Sequence, residues 1–286
     1  MRVVVTGASG FIGRAVLPAL RARGHEAVPV DRAATGDLAG FTGWTSLLAG
    51  SDAVVHLAAL AHSRQVNEAR LRAVNVDMAH ALGRAAAAAG VKMLLMSSVK
   101  VHGEETAERP FDASSPYAPC DAYGRAKAES EAALRNVPGL ALTILRPPLV
   151  YGPGVKANFL ALMRAVAHGW PLPLASVENR RSLVYVGNLA HAAVHCIEST
   201  FAAGRAYCVA DGAPLSTPSL CLALGAALGR PARLLPWPAA LLPARKLTRS
   251  LELDDSALRG DLGWAPPHSF SEGLRLTAEW FLSQGS

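Results

Sequence analysis

Lysine is scarce in this chain. It occurs only as Lys92, Lys100, Lys127, Lys156 and Lys246 in 286 residues, and tyrosine is equally rare at 5. Cysteine is limited to Cys120, Cys196, Cys208 and Cys221, with no C-x-x-C spacing and no histidine pattern of a metal site. This excludes a zinc or iron–sulfur reading and leaves four reduced thiols of a cytoplasmic protein. No apolar run reaches the ~18 residues of a membrane span. The first residues lack a basic segment followed by a long apolar stretch, so no secretory signal is expected. No basic tract interleaved with aromatics occurs, so the net charge of +6 is no nucleic-acid footprint. That excess, mostly arginine, fits an anionic small molecule or a solvated surface. Internal repeats and low-complexity tracts are also missing.

What is present is a hydrophobic content of 51% with a mean hydropathy of +0.22. A chain of this length holds one large core or two small domains. Strands are expected at 2–6, 27–30, 53–57, 91–97 and 140–146. Helices are expected at 11–23, with Pro18 as an awkward interior residue, and at 66–89 and 122–135. Strands alternating with helices imply βαβ units and a parallel sheet. After Pro147-Pro148 and Gly152-Pro153-Gly154 the pattern loosens. A helix is expected at 158–168, a strand–helix–strand passage over 183–210 returning to the sheet, and helices at 220–228 and 273–282. The fold class is thus α/β, a doubly wound parallel sheet over 1–152 with a smaller C-terminal lobe over 153–286.

Gly7, Gly10 and Gly13 fall between the first strand and the first helix. Glycines at this spacing allow a tight turn, close approach of backbone to a pyrophosphate and close helix–strand packing. The helix N-terminus adds N–H groups and a favourable dipole. Asp31 ends the next strand, where a carboxylate accepts hydrogen bonds from an adenosine ribose, which argues for NAD. Arg32 beside it could instead hold the 2′-phosphate of NADP. Asp37-Leu38 frames the adenine, or Asp37 caps its own loop.

Tyr123 and Lys127 are four apart, so on a helix they share a face. A phenol titrates near ~10, and an adjacent ammonium favours its phenolate, which makes a general base. A Tyr-x-x-x-Lys arises by chance in roughly one such chain in ten, so its context decides. Ser97-Ser98 ends the fourth strand at the sheet edge where ligands bind. A serine there can hydrogen-bond a substrate oxygen while Tyr123 moves its proton, or simply cap the strand.

The segments Thr6-Gly-Ala-Ser-Gly-Phe-Ile-Gly13, His56-Leu-Ala-Ala59, Ser97-Ser98, Tyr123-Gly-Arg-Ala-Lys127 and Arg146-Pro-Pro-Leu-Val-Tyr-Gly-Pro153 resemble, in this order, the extended short-chain dehydrogenase/reductase family. Within it the chain looks like the nucleotide-sugar epimerase/dehydratase branch, over nearly its whole length. The resemblance implies a Rossmann domain for the dinucleotide and a C-terminal lobe for a nucleoside-diphosphate sugar. It also implies a homodimer paired through the helices at 66–89 and 122–135. Tyr123 would be the catalytic acid/base, Lys127 would hold the nicotinamide ribose and lower the Tyr123 pKa, and Ser98 rather than Ser97 would be the hydroxyl partner. Cofactor contacts are implied at Gly7, Ser9, Gly10, Phe11, Ile12, Gly13, Asp31, Arg32, Asp37, Leu38, Leu57, Ala58, Ala59, Asn75, Ser97, Pro147 and Val150. Asn158 and Arg181 would meet the substrate diphosphate, and Lys100 or Lys156 the sugar or diphosphate.

Departures from the family pattern narrow the chemistry. Dehydratases of this branch carry an Asp-Glu pair after the catalytic hydroxyl residue, and here Val99 and Lys100 stand there. Without those carboxylates, elimination of water lacks its acid and base. His102 replaces the usual Tyr before Gly103, and Ala126 the usual Ser before Lys127. The sequence leaves a 4-epimerase or a 4-keto-sugar reductase of bacterial polysaccharide biosynthesis, with a slight lean to the reductase from chain length and Arg32. The alternative is a dinucleotide-binding sensor without catalysis.

Overall fold

The computed structural model describes residues 1–31, 35–60, 67–242 and 245–285. Its first half alternates as read: β1 (Arg2–Thr6), α1 (Gly13–Ala22), β2 (Glu26–Val30), α2 (Trp44–Leu48), β3 (Ala53–His56), α3 (Glu68–Arg72), α4 (Met78–Ala88), β4 (Lys92–Met96), α5 (Ala122–Arg135) and β5 (Leu142–Arg146). There follow β6 (Leu149–Tyr151), α6 (Ala157–Ala167), β7 (Pro171–Leu172), β8 (Leu183–Tyr185), α7 (Val186–Glu198), β9 (Ala206–Cys208) and α8 (Thr217–Ala227). The chain ends with β10 (Arg233–Leu234), α9 (Arg245–Thr248), α10 (Ser256–Leu262) and α11 (Phe270–Ser283).

Six strands make one sheet in the order β2-β1-β3-β4-β5-β9, all parallel. Strand order reverses between β1 and β3, the switch point beside which such sheets bind ligands. Both faces are covered, which is why the strands read as continuous apolar runs rather than alternating ones. Val3, Val5, Val55 and Leu94 face α1 and α7, whereas Val4, Val54, Met93 and Leu95 face α2, α4 and α5. A third core gathers Tyr151, Phe159, Met163, Tyr185, Leu224 and Leu274 from β6, β8, α6, α8 and α11. This is a Rossmann-like α/β fold.

Several boundaries differ from expectation for local reasons. Helix α1 runs through Pro18 without a break. The segment read as one helix over 66–89 contains a π-helical turn, Ala73–Asp77, between α3 and α4. Two late helices start earlier than their apolar residues suggest, because Ser216 caps α8 and Ser269 caps α11. Within 183–210, β9 joins the large sheet at its edge, but β8 does not. It pairs with β6 in a separate two-stranded ladder, as Leu183↔Leu149 to Tyr185↔Tyr151. Pro147-Pro148 lacks N–H groups and ends β5, so the chain leaves the sheet there and β6 takes β8 as its partner.

Candidate active site

Gly7 has φ +71°, and a Cβ on it would stand 2.7 Å from the backbone nitrogen of Ala58. Only glycine fits such a left-handed, crowded position. A Cβ at Gly13 would meet the Gly7 carbonyl at 2.5 Å, whereas one at Gly10 would meet only that oxygen, at 3.0 Å. The turn is therefore packed on its inner side and open at Gly10, and the first turn of α1 carries no acidic side chain. These features fit a pyrophosphate. Gly7 N–H donates to the Val30 carbonyl (3.1 Å), which brings the end of β2 and Asp31 beside the turn. Thr6 Oγ1 contacts His56 Nδ1 at 2.7 Å and accepts from Ala58 N–H at 3.4 Å, tying Leu57 and Ala58 to the same corner. Burial first, and the Lys127 charge second, push His56 down to about 3, so it stays neutral.

The other expected cofactor residues divide. Side chains of Phe11 and Ile12 pack against the third core, so the turn offers ligand its backbone there. Asp37 is held by Arg70 at 2.6 Å and accepts from Ala39 N–H at 3.3 Å. Asn75 sits in the π-helical turn and is buried. Its amide accepts from Leu60 N–H (2.8 Å) and donates to Leu60 O (3.0 Å), so it pins the loop after β3. Val150 packs against two cores, while its neighbours Pro148 and Leu149 line the cavity described below. The Pro147 carbonyl accepts from Val99 N–H at 3.0 Å. Arg32 and the side chain of Leu38 lie outside the described residues.

Helix α5 carries the catalytic candidates in order. Asp121 caps it by accepting from Gly124 N–H at 2.7 Å, and Tyr123, Lys127 and Glu131 follow at four-residue steps. Gly124 leaves room for the Lys100 carbonyl, which would lie 2.6 Å from an added Cβ. Ser98 is extended (φ −160°, ψ 150°) and its hydroxyl accepts from Lys100 N–H, opening a short 3-10 turn over Val99–Val101. Adjacent residues of an extended chain face opposite ways. Ser98 and Tyr123 accordingly line a cavity of about 260 Å³. Ser97, expected at the cofactor, instead donates to Glu131 Oε1 at 2.5 Å beneath the site. Lys127 is buried and donates to the Met96 carbonyl at 2.8 Å. Burial pulls its ammonium down to about 8, and burial together with Asp121 pushes Tyr123 up to about 12. The expected lowering of the Tyr123 phenol by Lys127 is therefore not seen here, because desolvation dominates.

Beneath Tyr123 lies a polar cluster that the sequence did not announce. Arg146 pairs with Glu131 through two hydrogen bonds of 2.5 and 3.0 Å, and the two side chains are 1% and 0% exposed. Tyr117 donates to Glu131 at 2.6 Å and accepts from Arg146 at 2.8 Å. His102 Nδ1 lies 3.1 Å from the Pro116 carbonyl and so carries the proton, leaving Nε2 to accept from Arg146 at 3.0 Å. Burial alone would raise the Glu131 carboxyl, but Arg146, Ser97 and Tyr117 hold it below the usual range.

The cavity also gathers Asn158, Arg181, Lys100, Glu104, Phe159, Leu215 and Lys246. Lys156 is exposed and takes no part in it. The Arg181 backbone is bridged to Leu215 on one side and Leu251 on the other, and its guanidinium donates to the Arg249 carbonyl at 2.9 Å. Lys100 is held by Asp121 and by Glu104 (3.0 Å), and Lys246 approaches Glu104 at 3.8 Å. Burial pulls Lys100 down, but these carboxylates outweigh it and leave the ammonium firmly charged. Glu104, Asp121 and Lys246 were missed as site residues. Only Asp121 had a local signal, a helix-capping residue ahead of Tyr123.

Residues 3–210 match the model of the NAD dependent epimerase/dehydratase family. The chain belongs to that family. It is 36% identical to a UDP-glucose 4-epimerase of Vibrio cholerae, over 98% of this chain and 95% of that protein. A UDP-glucose 4-epimerase of Mycolicibacterium smegmatis is 29% identical over 98% of both. Among solved structures, the UDP-glucuronic acid 4-epimerase of Bacillus cereus, in complex with NAD, shares the fold with a TM-score of 0.83. It is 19% identical, over the full length of both chains. No helix among the described residues is long and apolar enough to cross a membrane.

Proposed function

We propose that this protein is an NAD-dependent 4-epimerase of a nucleoside-diphosphate sugar, with Tyr123 as the acid/base. One observation carries the reading: a single cavity holds the hydroxyls of Ser98 and Tyr123 together with Asn158 and Arg181. Arg181 has no carboxylate within ion-pair distance among the described residues, so its free donors suit a diphosphate. In this reading Tyr123 takes the proton of the sugar 4-hydroxyl and later returns it, and Ser98 hydrogen-bonds the same oxygen. Lys127 sits under Tyr123 at the end of β4 and holds the cofactor ribose. NAD, when bound at the glycine turn, supplies the hydride acceptor and donor. Residues 1–152, with β9, hold the dinucleotide, and residues 153–286 mainly hold the substrate. The similarity to UDP-glucose 4-epimerases supports the choice of epimerase over reductase.

The test is interconversion of UDP-glucose and UDP-galactose by the NAD-loaded protein. Tyr123→Phe should lower kcat by about 10²–10⁴-fold while NAD stays bound, the range expected for a positioned acid/base. Stoichiometric consumption of NADH or NADPH by a 4-keto sugar, with no interconversion, would establish a reductase instead. Unchanged turnover in Tyr123→Phe would remove Tyr123 from the chemistry. Sedimentation of the full chain tests the expected homodimer.

A further inference from the structure

The charges around the cavity point to the class of sugar. Four charged side chains line it among the described residues, Lys100, Glu104, Arg181 and Lys246, and Asp121 stands behind Lys100. Lys100 is engaged by both Asp121 and Glu104, and Lys246 is paired with Glu104. Two lysines thus face two carboxylates, and Arg181 is the one surplus cation of this group. A diphosphate brings more negative charge than Arg181 alone balances. A further anionic group on the sugar would find no uncompensated cation beside Ser98 and Tyr123 among the described residues of the lining, and it would meet Glu104 there.

Resting on the nucleotide-sugar reading above, we infer that the cavity selects an uncharged sugar and rejects a uronate, and that Glu104 and Asp121 enforce this by saturating Lys100. The rest of the lining agrees. Phe159, Leu162, Leu183 and Leu215 offer a carboxylate no hydrogen bond, whereas hydroxyls can exchange with the donors and acceptors of Lys100 and Glu104. Val99 and Lys100 therefore do more than remove the elimination machinery. Lys100 also neutralises the carboxylate that caps the Tyr123 helix.

Calorimetric titration of the NAD-loaded full chain with UDP, UDP-glucose and UDP-glucuronate tests this without relying on turnover. UDP-glucuronate should bind at least about tenfold more weakly than UDP-glucose, because an unmatched like charge at an interface is costly. Glu104→Gln removes the carboxylate that a uronate would face, leaves Lys100 held by Asp121 alone, and should narrow that gap by roughly tenfold. Asp121→Asn should narrow it in the same direction while keeping the helix cap, since asparagine caps as well as aspartate. Equal affinity for the two sugars in the unmodified protein, or a gap unchanged in both variants, overturns the inference. Failure of UDP itself to bind overturns the nucleotide-sugar reading, and the inference with it.

Discussion

Two charge clusters flank Tyr123 on the same helix, and they solve opposite problems. Glu131 and Arg146, eight residues further along α5 and at the end of β5, are closed off from water, with Ser97, Tyr117 and His102 filling their remaining hydrogen-bond positions. Lys100, Glu104 and Asp121, at the other end, remain 25%, 36% and 19% exposed, the first two lining the cavity and Asp121 standing behind Lys100. A sealed, saturated network fixes geometry, because any lost partner leaves a buried charge. A half-open one can trade partners with a ligand at little cost. The first holds β4, β5 and α5 in register below Tyr123 and Ser98, and the second lines the cavity beside them.

The same substitution made in both clusters should break the symmetry most visibly. Glu131→Gln leaves the Arg146 guanidinium buried and uncompensated, at a cost of about 3–5 kcal/mol. Glu104→Gln removes the part-exposed ion pairs to Lys100 and Lys246 and should cost only about 0–1 kcal/mol. Urea unfolding of both variants measures the difference. Equal losses would mean that the upper cluster is also structural and that the contrast is wrong.

Acid should sharpen the contrast through His56. Its folded value of about 3 lies below the unfolded 6.5. Below pH 6.5 the unfolded chain therefore binds a proton that the folded chain refuses, and stability falls as pH falls from 6.5 toward 3. One such group contributes a slope of about 1.4 kcal/mol per pH unit in that window. Glu131, held below the usual carboxyl range, adds its own loss only at the acid end of the same window. His56→Asn should flatten the pH dependence of the urea midpoint between pH 6 and 4. An unchanged slope would show that His56 is protonated in the folded protein.

These clusters also mark where sequence reading stops. The glycine turn was legible because its chemistry is local: Gly7 to Gly13 is a continuous stretch whose neighbours in space are its neighbours in sequence. The same holds for Tyr123 and Lys127 on one helical face. The cavity is different: Lys100, Asn158 and Arg181 were named only through the resemblance and Lys246 not at all, since the four come from segments joined only by packing. Arg181 reaches it through single bridges to Leu215 and Leu251 that no periodicity encodes. Ser97 and Ser98 could not be assigned roles until the extended backbone aimed one hydroxyl at Glu131 and the other at the cavity. The pairing of β8 with β6 was hidden because apolar strand residues do not name their partner.

The smallest expected effect concerns how the cavity aims Asn158. Ala157, the residue before it, has φ +52° and is the one non-glycine residue with positive φ among the described residues. A left-handed conformation costs an L-residue about 1–2 kcal/mol, a strain that tends to sit at functional sites. Glycine at 157 would relieve it but lose about 0.5–1 kcal/mol in backbone entropy. Ala157→Gly should therefore stabilise the fold by roughly 0.5 kcal/mol, the difference between those two terms. If the strained turn holds Asn158 toward the diphosphate, the same variant should raise KM for the nucleotide sugar two- to threefold, roughly 0.5 kcal/mol of uniform binding, with kcat unchanged. A stability gain with no change in KM would make Ala157 a local compromise of the turn. A loss of stability would mean that the left-handed geometry is enforced by packing that glycine weakens.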